Sequence, residues 1–399
     1  PREPASGREL VYLCGHSLGA QPVLATEYVE DVMRDWRSLG VEGHFTGRHP
    51  WLTYHERLAP ALATLVGAEP AEVIAMNTLT ANLHLMLVSF YRPSGTRRAI
   101  LLERSAFPSD RHAVESQVRF HGLDPARDLI EIAPRDGEDL LRTEDIVATI
   151  EREGARIATI LLPGVQYLTG QVLDVEAITA AGRKAGCVVG WDLAHAVGNV
   201  PVALHDAGAD FAVWCNYKYL NGGPGAVGGA FVHARHATDT SLPRFAGWWG
   251  HDKATRFLMA PEFKPTPGAE GWQLSNPPIL AMAPLAASLE HFAAAGLPAL
   301  RQKSVALTGY FERLVQARLA GRVEIITPSA PQARGAALSL RLVGLTRDRA
   351  RAVFDGLRRR SILPDWREPD VIRAAPVPFY NRFDDVWRCV DALHAELGA

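Results

Sequence analysis

In the stretch "FAVWCNYKYLNGGPG", Lys218 stands three positions past an apolar run, between two tyrosines and ahead of a glycine-rich loop. Lys218 lies 26 positions after Asp192, which closes another apolar run in "GWDLAHAVGN" and has His195 three residues beyond it. "NTLTANLHLML" (77–87) sets Thr78 and Thr80 at a helix start, and "AFPSD" (106–110) places Phe107 just past a third apolar run. Taken singly, each has a plain structural explanation: a loop cap, a satisfied histidine, a solvated lysine, an N-cap. Together they meet the demands of pyridoxal phosphate. Its aldehyde needs a lysine amine in a partly desolvated place, where loss of water favours the neutral form. Its ring nitrogen needs a carboxylate, for which Asp192 suits, and its ring needs a flat partner such as Phe107. Its phosphate needs hydroxyls and the backbone N–H groups of a helix N-terminus, which "TLTAN" offers.

Other cofactors fit less well. No GxGxxG follows the early strands and no GxxxxGK[ST] occurs. His233 and His236 in "HARH" lack partner cysteines, so no metal site is expected there.

Elements able to position these residues are legible in the hydrophobic pattern. Apolar β-rich runs at 98–103, 157–163, 187–192, 211–215 and 226–233 alternate with helical periodicity. The segment 174–186 reads as a helix with Asp174 as its cap and Gly186 as its stop. Continuous apolar strands separated by helices imply an α/β fold with a mostly parallel sheet covered on both faces. Ligands of such sheets sit outside the carboxyl ends of the strands. A long amphipathic helix (23–40) and a segment rich in aromatics and histidines (43–58) precede this block. After about 280 come two helices, strands in "RVEIITP" and "GAALSLRLVG", and helices at "RDRARAVFDGLRRRS" and "RFDDVWRCVDALHAEL". We expect an N-terminal arm and helix at 1–45 packing on the small domain, a large cofactor-binding domain at 46–280 and a small α/β domain at 281–399.

Composition narrows the class. The chain has 399 residues, 47% apolar and 22% charged, with a formal charge of −2 and no basic run. That argues against partnership with nucleic acid or an anionic membrane. No apolar stretch reaches bilayer length, and "PREPASGREL" does not read as a secretory signal, so a cytoplasmic enzyme is expected. Cys14, Cys187, Cys215 and Cys389 are widely spaced and read as reduced thiols.

"WDLAHAVGN", "NYKYLNGGPG", "AFPSD", "NTLTANLHLML", "GWWGH", "SNPPIL" and "VIRAAPVPFYN" together resemble the kynureninase family, of fold type I among pyridoxal-phosphate enzymes. The resemblance implies a homodimer with the active site shared between subunits. The implied reaction cleaves L-kynurenine or 3-hydroxykynurenine to an anthranilate and L-alanine, in tryptophan breakdown. It implies Lys218 as the Schiff-base lysine and proton carrier, and Asp192 as the partner of the ring nitrogen. Asp110 becomes a second carboxylate near that edge, with Phe107 on the ring face. Leu79, Thr80 and Ser109 join the phosphate side, His195 lies close to the cofactor, and Tyr217 becomes a phosphate-side acid/base. Trp248 and Asn276 become cofactor or substrate contacts given by the partner subunit. Arg373 matches the arginine that grips the α-carboxylate, and His44 and Ser17 match positions around the substrate's aromatic ring. Two departures stand out: His16 replaces the asparagine of the family's GNSLG, and Pro163 stands where some relatives carry serine. The rival expectations are a cysteine desulfurase or aminotransferase of the same fold, or a non-catalytic relative. A desulfurase typically has histidine where Tyr217 stands.

Overall fold

The computed structural model describes residues 1–2, 7, 9–259 and 261–398. Part of the expected N-terminal arm, at 3–6 and 8, therefore lies outside the described residues. The central element is a seven-stranded sheet of β1 (Val73–Ala75), β2 (Ala99–Glu103), β3 (Leu129–Ile132), β4 (Ile157–Pro163), β5 (Val188–Asp192), β6 (Phe211–Cys215) and β7 (Gly228–Val232). Their spatial order is β1-β7-β6-β5-β4-β2-β3. β7 runs antiparallel to both neighbours and the other pairings are parallel, so β7 alone is reversed.

These strands are apolar at nearly every position because both faces are covered. In β6, Phe211 and Val213 pack into one hydrophobic layer while Ala212 and Trp214 pack into the other, as a period of two demands. The run at 226–233 is a strand only from Gly228 to Val232, and it is the reversed one. Two strands of this sheet escaped the sequence pattern, as did the strands Asp365–Arg367 and Val371–Ala374 of a second sheet. β1 has three residues, and β3 is an edge strand whose first three residues are half-buried. Asp174 does cap its helix (Val175–Lys184), accepting from the Ala177 N–H at 2.9 Å.

A second sheet, all antiparallel, follows: β8 (Val323–Ile325), β9 (Leu338–Leu342), β10 (Asp365–Arg367) and β11 (Val371–Ala374), in the order β10-β11-β9-β8. Helices Leu297–Arg318, Arg347–Arg359 and Phe383–Leu397 back it through Leu307, Phe311, Val353 and Val390. The N-terminal segment joins this layer: Val11 and Leu13 are buried in it. The helix Ala25–Leu39 instead sends Tyr28 and Val32 into the large core, with Leu285 and Leu289 of the helix Ile279–Ala295. The segment around 43–58 forms two short 3-10 helices, Gly40–His44 and Trp51–Arg57. Among the described residues no single helix is long and apolar enough to cross a membrane.

Candidate active site

Parallel strands bring their carboxyl ends to one edge of the sheet, and the chemistry-bearing residues collect there. β1 gives way to helix Leu79–Phe90 through Asn77, whose φ of 45° is a left-handed conformation that asparagine tolerates. The helix N-cap, Thr78, makes no side-chain cap bond, which leaves the first-turn N–H groups open to an anion. Thr80 Oγ1 lies 2.7 Å from Ser109 Oγ at the start of the next helix. Leu79, Thr80, Phe107, Ser109, Asp110, Asp192, His195, Tyr217 and Lys218 all line one cavity.

Of the chain's five lysines, Lys218 is the one in that cavity. Its Nζ lies 5.9 Å from the ring centres of both Phe107 and Tyr217. The glycine-rich loop turns back at once: the Gly222 N–H donates to the Asn216 carbonyl at 2.8 Å, and Gly223 has a φ of 88°. From the N-terminal segment, the Gly19 N–H donates to the Tyr217 carbonyl at 2.7 Å. A Cβ at position 19 would stand 2.3 Å from the Lys218 carbonyl oxygen, so this crossing requires glycine.

Opposite the lysine are carboxyl groups in unequal surroundings. Asp192 Oδ1 accepts from the Ala194 N–H at 2.8 Å. Asp110 is buried and its Oδ1 has no hydrogen-bond partner. Burial first, then the negative charge of Asp192, holds the Asp110 carboxyl well above the usual range. A third carboxyl, Glu103, closes β2 inside the same cavity and was not singled out from sequence. Burial, joined by the Asp192 charge and opposed by a bond from Gln166, raises it to about 7. Burial also pushes the Tyr217 phenol up, so it keeps its proton. It pushes His195 well below its usual value, with the Lys218 and Arg373 charges acting in the same direction.

This donor set fits pyridoxal phosphate. A buried carboxyl oxygen without a partner, beside a second carboxylate, suits a ring nitrogen that carries a proton. The open helix N-terminus and the Thr80–Ser109 hydroxyls suit a phosphate, and Phe107 beside Lys218 suits the ring and its aldehyde.

Five expected residues do not line the cavity. Ser17 and Asn276 are exposed, and Trp248, 42% exposed, donates from Nε1 to the Arg256 carbonyl at 3.1 Å. His44 packs edge-on against Trp51, with ring centres 5.3 Å apart. Arg373 is buried on β11 and reaches the cavity wall through a hydrogen bond to the Tyr167 carbonyl. Its Nε donates to Asp365 Oδ2 at 2.8 Å, and Nη2 donates to the same oxygen. The unusual His16 is buried 3.6 Å from that carboxylate, and burial together with the Arg373 charge lowers it to about 4. Sequence reasoning missed Tyr167 and Asp365 as well. Asp365 sits eight positions before Arg373, a weak signal that only strand pairing makes meaningful.

Other clusters have local explanations. His233 lies 3.5 Å from Glu72, and His236 lies 2.9 Å from Asp210. A broad groove follows the edge strand β3, where Arg135 pairs with Asp145 at 2.7 Å, and it holds none of the candidate residues. Burial raises all four cysteine thiols, Cys14 and Cys389 to about 12, so none is the activated thiolate of a sulfur-transfer enzyme.

Comparison with known proteins points to one family. A family model described as the kynureninase C-terminal domain matches residues 300–393. A kynureninase of Stenotrophomonas maltophilia is 58% identical over 98% of this chain and 92% of its own length. One from Koribacter versatilis is 56% identical over 98% and 91%. Among solved structures, a cysteine desulfurase from Thermococcus onnurineus NA1 superposes with a TM-score of 0.78, at 17% identity, over 97% of this chain and 94% of its own. The cystine C–S lyase C-DES, in complex with cysteine persulfide, gives a TM-score of 0.79 at 18% identity, over 97% of each chain. The distant structures establish a shared fold only. With relatives this similar over nearly its whole length, the chain belongs to the kynureninase family.

Proposed function

We propose that the protein is a pyridoxal-phosphate-dependent hydrolase that cleaves the Cβ–Cγ bond of L-kynurenine or 3-hydroxykynurenine, giving an anthranilate and L-alanine in tryptophan breakdown. The observation that carries this reading is the presence of Lys218, Asp110 and Asp192 in the lining of one cavity, in a chain of this family. When bound, pyridoxal phosphate supplies the aldehyde that links to amines and a ring that stabilises negative charge at Cα. Lys218 would hold the cofactor through its side-chain amine and, as a free amine, would carry the Cα proton. Asp192, with the buried Asp110 carboxyl in the same cavity, would keep the ring nitrogen protonated. Tyr217, which retains its proton at neutral pH, would donate it to the γ-carbonyl oxygen as water adds and sheds its spare proton to solvent. As phenolate it would take a proton from the diol as the Cβ–Cγ bond breaks, leaving the electron pair on Cβ. Arg373 holds the α-carboxylate and so fixes the γ-carbonyl beside that acid.

We assign 1–45 to an arm, 46–280 to the cofactor domain and 281–399 to the small domain. The working unit is a homodimer in the cytoplasm. The exposure of Trp248 and Asn276, next to exposed Phe245, Phe257 and Leu258, supports their entry into the partner's site. His44 and Ser17 complete the pocket for the substrate's aromatic ring. Side-by-side kinetics on the two substrates, with product followed by its fluorescence, test the proposal. Anthranilate or its hydroxylated form should appear in step with alanine, and no product from either substrate at saturating cofactor would refute it.

A further inference from the structure

We propose that Asp365 and the Tyr167 carbonyl are positioning groups that orient the Arg373 guanidinium, so that one N–H on each terminal nitrogen is left for the substrate's α-carboxylate. The inference rests on the carboxylate-binding role of Arg373 given above. A guanidinium carries five N–H donors in a rigid fork. Asp365 lies directly across the β10–β11 ladder from Arg373, and residues so paired share a face of the sheet. Nε and Nη2 both donate to Asp365 Oδ2, which takes up the side edge of the fork. Nη1 donates to the Tyr167 carbonyl. Three donors are therefore held by the protein, and the remaining two, one on Nη1 and one on Nη2, make the pair that a bidentate carboxylate accepts.

The charges agree with this arrangement. Asp365 also pairs with Arg367 at 3.3 Å, and the adjacent buried His16 is neutral at physiological pH. Two guanidinium groups against one carboxylate leave one positive charge for the incoming anion. Tyr167 adds a link to the reacting end. It lies in the loop after β4, lines the cavity, and packs edge-on against Phe107 with ring centres 5.3 Å apart. The carbonyl that holds Arg373 and the ring that touches Phe107 thus belong to one residue. An arginine buried to 1% exposure and held in this way loses little side-chain freedom when substrate arrives.

The test uses holoenzyme carrying Asp365→Ala, Asp365→Asn or, as reference, Arg373→Ala, with KM, kcat and the cofactor's visible absorbance measured for each. Asp365→Ala should raise KM for kynurenine about tenfold to a hundredfold while the absorbance is retained. Asp365→Asn keeps an oxygen acceptor but not the charge, and since charge-assisted bonds are roughly twice as strong it should recover about half of the loss on a logarithmic scale. Should Asp365→Ala fold poorly, the Asn variant still decides, because wild-type KM in it would overturn the proposal. So would equal losses in the Ala and Asn variants, which would mean that charge alone matters. If Arg373→Ala raises KM while both Asp365 variants behave as wild type, only the positioning role fails. If Arg373→Ala leaves KM unchanged, the carboxylate reading itself fails.

Discussion

Replacing Glu103 by Gln should change how stability depends on pH, by an amount that follows from burial. Glu103 closes β2 at 4% exposure, and its one side-chain partner is Gln166 Nε2 at 3.4 Å. Burial first, then the Asp192 charge, lifts the carboxyl from 4.5 to about 7, against the opposing Gln166 bond. Between those two values the native protein holds a proton that the unfolded chain has released. The contribution of the group is therefore fully present below 4.5 and is lost as pH rises through about 7. At ~1.4 kcal/mol per pH unit, the window is worth about 3 kcal/mol. Gln has nearly the same size and no charge to bury. Urea unfolding of the cofactor-free protein, followed by tryptophan fluorescence near about pH 5 and pH 8, gives the comparison. The wild type should lose about 2.5 kcal/mol more than Glu103→Gln between the two conditions, a small part of the window being already lost at the lower pH. His195 titrates in both proteins, while the Glu103 charge also helps to raise Asp110, so the difference reads Glu103 together with its coupling to Asp110. A difference under about 0.5 kcal/mol, or one of opposite sign, would refute the argument from burial.

Three further outcomes are expected. Asp192→Asn keeps an acceptor for the Ala194 N–H but removes the charge, so cofactor affinity in a fluorescence titration should fall about tenfold or more. Tyr217→Phe should keep the cofactor's absorbance yet lower kcat at least ~100-fold, as expected of a lost general acid. Unchanged kcat would move that role elsewhere. Gly19→Ala forces a methyl against the Lys218 carbonyl, at 2.3 Å before relaxation, and should cost about 1–3 kcal/mol in thermal unfolding along with turnover.

The large sheet was legible because strands buried on both faces leave unbroken apolar runs, and "IATILLP" is a strand from end to end. Short β1 and half-buried β3 carry too little pattern to be distinguished from loop. Lys218, Asp192 and Phe107 could be singled out because each stands at or just past the end of such a run, where a parallel sheet presents its ligand. Glu103 was hidden by ending its run as an ordinary polar terminus, and only the neighbouring strand ends turn it into a buried acid. The partners of Arg373 were hidden for another reason. Asp365 meets it through antiparallel register, and Tyr167 meets it through contact between the two sheets, neither of which is written in local spacing.

Lys218 as the residue that holds the cofactor is the proposal on which every other assigned role depends. Borohydride reduction of the holoenzyme, followed by peptide mapping, would show which of the five lysines carries the cofactor. The label should fall on Lys218, and Lys218→Ala should lose the label, the visible absorbance and turnover together. A label on Lys184, Lys253, Lys264 or Lys303, or turnover that survives the substitution, would contradict it.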